Sequence, residues 1–133
     1  MRTRRESGMT LVELLIVLVI IGILATVAIP RFNDMINKGK VSAAEQELKH
    51  ATNGLWYYKT ENDSLSFPAT TMITTYESLM DVCRPYVGTL PSAENARFSF
   101  VSYASTDSAF TLIVRARDQD RTEMTATNRG ITY

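Results

Sequence analysis

One uninterrupted apolar run, one helical stripe and one alternating segment divide the chain. The run comes first: from Leu14 to Ile29 no side chain is charged, and counted from Met9 the stretch is roughly 30 Å long as a helix, enough to span a bilayer. Beyond Pro30 the pattern becomes amphipathic. Val41, Ala44, Leu48, Ala51, Leu55 and Tyr58 recur at alternating steps of three and four, which is one face of a helix, while Lys40, Glu45, Lys49 and Lys59 fall elsewhere on the wheel. A helix that continues through Pro30 runs from about Thr10 to about Lys59, roughly 75 Å. Three residues oppose that continuity. Pro30 removes a backbone donor and crowds the preceding turn, and Gly39 and Gly54 each cost about 1 kcal/mol relative to alanine. A kink near Pro30 is expected.

Between 60 and 96, Pro68, Pro85 and Pro91 interrupt any long element. A short helix fits Thr75 to Cys83, capped by Thr74 or Thr75, with Glu77 early and Pro85 just past its end. Tyr76, Leu79, Met80 and Cys83 would face inward. The last third has period two: Phe110, Leu112, Val114 and Ala116 alternate with Thr111, Ile113, Arg115 and Arg117, a strand with one buried face. Arg97 to Ala104, with Phe98 and Phe100, and Glu123 to Thr127 read as its neighbours. Asn128-Arg129-Gly130 is a turn before Ile131 and Tyr133. The result is a three- or four-stranded antiparallel meander whose apolar face is covered by the helical stripe. Trp56, Tyr57 and Tyr58 are expected to pack under that sheet. The fold class is α+β, a long N-terminal hydrophobic and amphipathic helix packed by its C-terminal half on a small antiparallel sheet.

Composition narrows the function. The 133 residues leave room for one small domain after the apolar run. Basic and acidic residues balance at 14 each, and a cut between Gly8 and Met9 would remove three arginines and one glutamate, leaving 11 against 13. A mildly acidic balance argues against a general nucleic-acid surface, for which a clustered basic face is the usual footprint. The single cysteine, Cys83, has no partner for an internal disulfide and reads as a small buried hydrophobe. Arg2, Arg4 and Arg5 ahead of the run place the N-terminus on the cytoplasmic side and the body outside.

Glu13 is the anomaly. An ionised carboxylate well inside lipid costs on the order of 3 kcal/mol, and a simple anchor has no use for it. If the chain is cut before Met9, a new α-amino group lies one helical turn from this carboxylate. Within one chain that pairing is geometrically poor. Between axially staggered neighbouring helices it is good, so Glu13 reads as an assembly contact.

Gly8-Met9-Thr10-Leu11-Val12-Glu13-Leu14-Leu15-Ile16-Val17, followed by Gly22, Ala25 and Pro30, resembles the class III leader and N-terminal helix of type IV prepilins and type II secretion pseudopilins. The resemblance covers about the first quarter of the chain closely, and Met9 departs from it where phenylalanine is commoner. It implies cleavage after Gly8 by a membrane prepilin peptidase, N-methylation of Met9, and polymerisation with identical or homologous subunits through the hydrophobic helix. It also implies a pilus assembly platform and ATPase as partners. The helix near Pro30 and Gly39 would be where the family's local unwinding occurs, and the segment 60–96 where its members vary. The expected organisation is a leader at 1–8, a transmembrane and filament-core helix at 9–30, an amphipathic half at 31–59, a variable region at 60–96 and a sheet at 97–133. The expected location is the inner membrane, single-pass, and then an extracellular pilus or a periplasmic pseudopilus. The absence of a C-terminal disulfide loop departs from many pilins of pathogens.

Two other readings fit part of the pattern. A secretory signal ending at Thr26-Val27-Ala28, or a plain signal anchor carrying a membrane-anchored binding protein that never polymerises, accommodates the apolar length but leaves Glu13 unexplained. No catalytic, cofactor or metal site is expected. Asp118 and Asp120 lack the glycine and distant glutamate of a calcium loop and read as a turn. His50 has no histidine or cysteine at ligand spacing and reads as a helix-surface residue. No Gly-x-Ser-x-Gly elbow and no phosphate loop occur.

Overall fold

The computed structural model describes residues 9–62 and 65–133. By internal packing the chain divides into two units, Met1–Ile36 and Asn37–Tyr133. One helix, α1 (Leu11–Glu61), contributes to both, with Pro30 inside it. Thr10 starts it: its hydroxyl accepts from the Glu13 amide at 3.2 Å, satisfying one of the first-turn donors that have no partner within the helix.

In the second unit a 3-10 turn (Thr70–Met72) leads to α2 (Tyr76–Val87), and four strands follow: β1 (Phe98–Ser105), β2 (Phe110–Ala116), β3 (Glu123–Thr127) and β4 (Gly130–Thr132). The strands form an antiparallel meander in chain order. Strand β2 has the expected limits because strict alternation leaves no other register. Leu112 and Val114 are fully buried, between Ile113 and Arg115, which are not. In β1 the register shifts between Phe100 and Ser102, leaving Val101 outside the ladder. This bulge reverses the alternation, so Phe98 and then Tyr103 enter the core, where simple period two would have put Phe98, Phe100 and Ser102 on one face.

The core is a single cluster in which the α1 residues Ala44, Leu48, Ala51 and Leu55 meet Leu79, Met80 and Cys83 of α2 and the inner faces of β1 to β3. Sequence spacing anticipates this stripe, although Val41 and Tyr58 at its ends are only half-buried. Gly54 is also buried, and the reason is a close approach. A Cβ built there would lie 2.6 Å from Cys83 Cβ and 3.1 Å from its Cα, so α1 and α2 meet at a point where no side chain fits. The Cys83 thiol donates to the Ala51 carbonyl at 3.3 Å, and burial raises its pKa to about 12.

Two expectations need correction. Pro85 lies within α2, not beyond its end. A helix tolerates proline when other contacts fix the surrounding turns, and here Cys83 is buried against α1 while the Gly88 amide bonds the Arg84 carbonyl at 3.2 Å. The start is well defined. Thr75 is the N-cap and exchanges hydrogen bonds with Ser78 in a capping box. The second correction concerns the aromatic triplet. Trp56 and Tyr57 are exposed at 39% and 55%, so they do not pack under the sheet. Their step along the helix turns them off the Leu48-Leu55 face. Trp56 instead meets Phe67 edge-on at 5.2 Å, and Tyr58 meets Tyr86 at 6.3 Å.

Candidate assembly surface

The surface begins in the first unit. From Leu11 to Ile36 every residue of α1 is exposed except the half-buried Ala25, and the exposed set includes Leu14, Leu15, Ile16, Val17, Ile20 and Leu24. Leu, Ile and Val dominate, the only side-chain hydrogen bond formed along 14–29 among the described residues is the local one from Thr26 Oγ1 to the Ile23 carbonyl at 2.7 Å, and α1 is long and apolar enough to cross a membrane. An apolar face this large needs lipid or other apolar helices around it. Gly22 leaves a notch, since nothing lies within 4 Å of a Cβ built there.

Of the sequence-singled residues, Gly8 lies outside the described residues. Met9 is 66% exposed. Glu13 is exposed in the first turn of α1 and its carboxylate has no hydrogen-bond or ion-pair partner among the described residues. Its backbone amide joins the Thr10 cap, so Thr10 and Glu13 share the spacing of a capping box with only the threonine half formed. That Thr-x-x-Glu signal was present in the sequence and identifies Thr10 as the cap. Nothing lies within 4 Å of a Cβ built at Gly39.

In the second unit the acids and the histidine singled out from the sequence have ordinary surroundings among the described residues. Asp118 accepts from the Thr122 amide at 2.8 Å and the Thr122 hydroxyl at 2.6 Å, so its oxygens close a turn. Burial alone would raise its pKa, but those hydrogen bonds outweigh it and hold the carboxyl below the usual range. His50 is exposed. Among the described residues no group of three His, Cys, Asp or Glu side chains is placed to hold a metal. Sequence reasoning missed Glu47, which is 8% exposed; its two oxygens accept from the Tyr76 hydroxyl at 2.8 Å and the Arg97 amide at 3.0 Å, tying α1 to α2 and to the entry of β1. The usable signal was its position three residues after Ala44, beside the stripe.

Residues 3–29 match the family model described as the prokaryotic N-terminal methylation motif, a stretch that contains Gly8, Met9 and Glu13. The chain carries that motif and is similar to type IV pilins and to a type II secretion core protein. It is 36% identical over 70 residues to the type II secretion system core protein G of Pseudomonas aeruginosa, covering 53% of this chain and 48% of that protein. It is 37% identical over 73 residues to the type IV major alpha-pilin of Moraxella bovis, covering 55% of this chain and 42% of that pilin. It is 42% identical over 62 residues to the type IV major pilin protein PilA of Myxococcus xanthus, covering 47% of this chain and 28% of that protein. The chain thus spans half or less of the length of the curated relatives it matches. No solved structure matches it.

Proposed function

We propose that this chain is a structural, non-enzymatic subunit of a type IV pilus or related filament. In this reading it is made as a single-pass membrane prepilin with its body outside, and residues 1–8 are a leader that prepilin peptidase removes after Gly8. Met9 then becomes the methylated N-terminus, and the assembly platform and its ATPase draw the apolar helix out of the membrane into a filament of like subunits. The observation that carries it is the pairing of an apolar helical stretch, exposed from Leu11 to Ile36 except at Ala25, with an unpartnered carboxylate at Glu13. In lipid such helices have little hydrophobic reason to associate, so packing at small residues such as Gly22 and polar contacts must drive assembly. A Glu13 carboxylate facing the Met9 amine of a staggered neighbour supplies one such contact. Pro30 and Gly39 are the positions where α1 would loosen in the filament.

A pseudopilin role in type II secretion is the second reading, favoured by the match to core protein G. The processing step is common to both. Intact-mass analysis of the membrane-extracted subunit is expected to give a chain that starts at methylated Met9. A chain starting at Ile29 would identify an ordinary secreted protein and overturn the proposal.

A further inference from the structure

We propose that the two ends of the β1–β2 pair form a head-to-tail contact between copies of this chain, with Asp107 of one copy entering a cationic cavity on the next. The inference rests on the filament reading above and names the surface through which the bodies would meet. The cavity, about 550 Å³, is lined by Lys40, Arg97 and Arg117 together with Glu94, Asn95 and Ala96. Three cations face one acid. Arg117 is fixed by donating to the Ala93 and Glu94 carbonyls at 2.7 and 2.9 Å, neutral acceptors that orient its guanidinium without cancelling its charge. The side chains of Lys40 and Arg97 are exposed and have no hydrogen-bond or ion-pair partner among the described residues.

The complementary group sits at the other end of the same strands. Asp107 is at the tip of the β1–β2 turn, which is pinned by the Thr106 amide bonding the Ala109 carbonyl at 2.8 Å and the Ala109 amide bonding the Thr106 hydroxyl at 3.2 Å. Its carboxylate is exposed and has no partner among the described residues. The ladder runs from Phe98 opposite Ala116 to Ser105 opposite Phe110, which sets the two ends roughly 24 Å apart. One copy cannot close that distance on itself. When each copy gives its tip to one neighbour and its cavity to another the contact is heterologous, and such a contact propagates along an assembly where a reciprocal exchange would stop at a dimer. A contact between exposed charges sets register and partner choice more than affinity, as a filament held together by its helices requires.

The test uses the full chain carrying Arg97→Cys and Asp107→Cys, oxidised in filaments sheared from cells. Cys83 is buried and serves as the unmodified control. The expected result is a ladder of covalent oligomers from the double variant and monomer from either single variant. Lys40→Cys with Asp107→Cys repeats the test should the first pair fail to fold. Independently, Arg97→Glu is expected to lower filament yield several-fold, and adding Asp107→Lys to restore most of it. Sheared polymer without a ladder, or dimers from a single variant, overturns the head-to-tail contact and leaves the filament reading standing. No sheared polymer from the unaltered chain overturns the filament reading, and this inference with it.

Discussion

Gly54→Ala separates two opposing effects that the structure sets against each other. At an open helical position alanine is preferred to glycine by about 1 kcal/mol. At Gly54 the new methyl would lie 2.6 Å from Cys83 Cβ, 2.8 Å from its Sγ and 3.1 Å from its Cα. Carbon atoms rest at about 3.5 to 4.0 Å, so the deficit is about 1 Å, and it is against backbone and Cβ atoms that no rotamer change can move. The helices α1 and α2 must part, loosening the Cys83 bond to the Ala51 carbonyl as they do. Overpacking of this kind costs typically 1–3 kcal/mol, and with a backbone contact the upper end applies. Subtracting the propensity gain leaves a net loss of about 2 kcal/mol, or roughly 8 to 16 °C in melting temperature for a body of this size. Trp56 is the sole tryptophan and meets Phe67 in the body, so its fluorescence during thermal unfolding of the full chain in detergent reports the body alone. Gly39→Ala is the control. Nothing lies within 4 Å of its Cβ, and it is expected to be neutral or stabilising by up to about 1 kcal/mol. Cys83→Gly added to Gly54→Ala should recover part of the loss, giving less than additive destabilisation. If Gly54→Ala stabilised the body as Gly39→Ala does, the close approach of α1 and α2 would be refuted.

Three other outcomes are expected. Glu47→Ala strips the Arg97 amide of its acceptor and should cost about 1–3 kcal/mol in urea unfolding, whereas Glu47→Gln, which keeps an acceptor oxygen, should cost distinctly less; equal losses would count against the hydrogen-bonding role. Burial holds the Cys83 thiol protonated up to about pH 12 in the folded chain against about 8.5 unfolded, so the unfolded state loses this proton first and stability should fall as pH rises above about 8.5. Comparing the alkaline slope with that of Cys83→Ala checks this, and an unchanged slope would dismiss the thiol as its source. Glu13→Ala should leave cleaved subunit in the membrane with little filament in the sheared fraction and Glu13→Gln should fall between it and the unaltered chain, as shearing and blotting with the membrane pool as control would show.

What could be read from the sequence was whatever depends on period. The strand at Phe110–Ala116 and the α1 stripe through Ala44, Leu48, Ala51 and Leu55 follow from spacing alone, because a one-residue slip would turn every apolar side chain outward. What depends on a single tertiary contact could not be read. Gly54 is a helix-weakening residue in any local account, and only the proximity of Cys83, far along the chain, makes its missing side chain useful. The bulge at Val101 is equally non-local, since nothing in Phe98-Ser99-Phe100-Val101-Ser102-Tyr103 announces that the alternation will reverse. Pro85 misled for a related reason: proline predicts a boundary from local sterics, and the burial of Cys83 against α1 holds the last turn of α2 together regardless.

The assembly surface shows the same division between local and non-local information, with a different consequence for Glu13. An acid three residues after a threonine has an intrahelical explanation as the far half of a capping box, and Thr10 does bond the Glu13 amide. Were capping its whole role, the glutamate side chain would turn back to the Thr10 amide, and glutamine would serve as well, because the box needs an acceptor and not a charge. The carboxylate makes no such bond, and it stands exposed in the first turn of a helix otherwise suited to lipid. A capping role therefore predicts equal performance of Glu13→Gln and the unaltered chain, while pairing with the cationic amine of a neighbour predicts a deficit that the cap cannot produce. A deficit in Glu13→Gln would thus assign the assembly role to the charge at position 13, and equal performance would assign the residue to the cap.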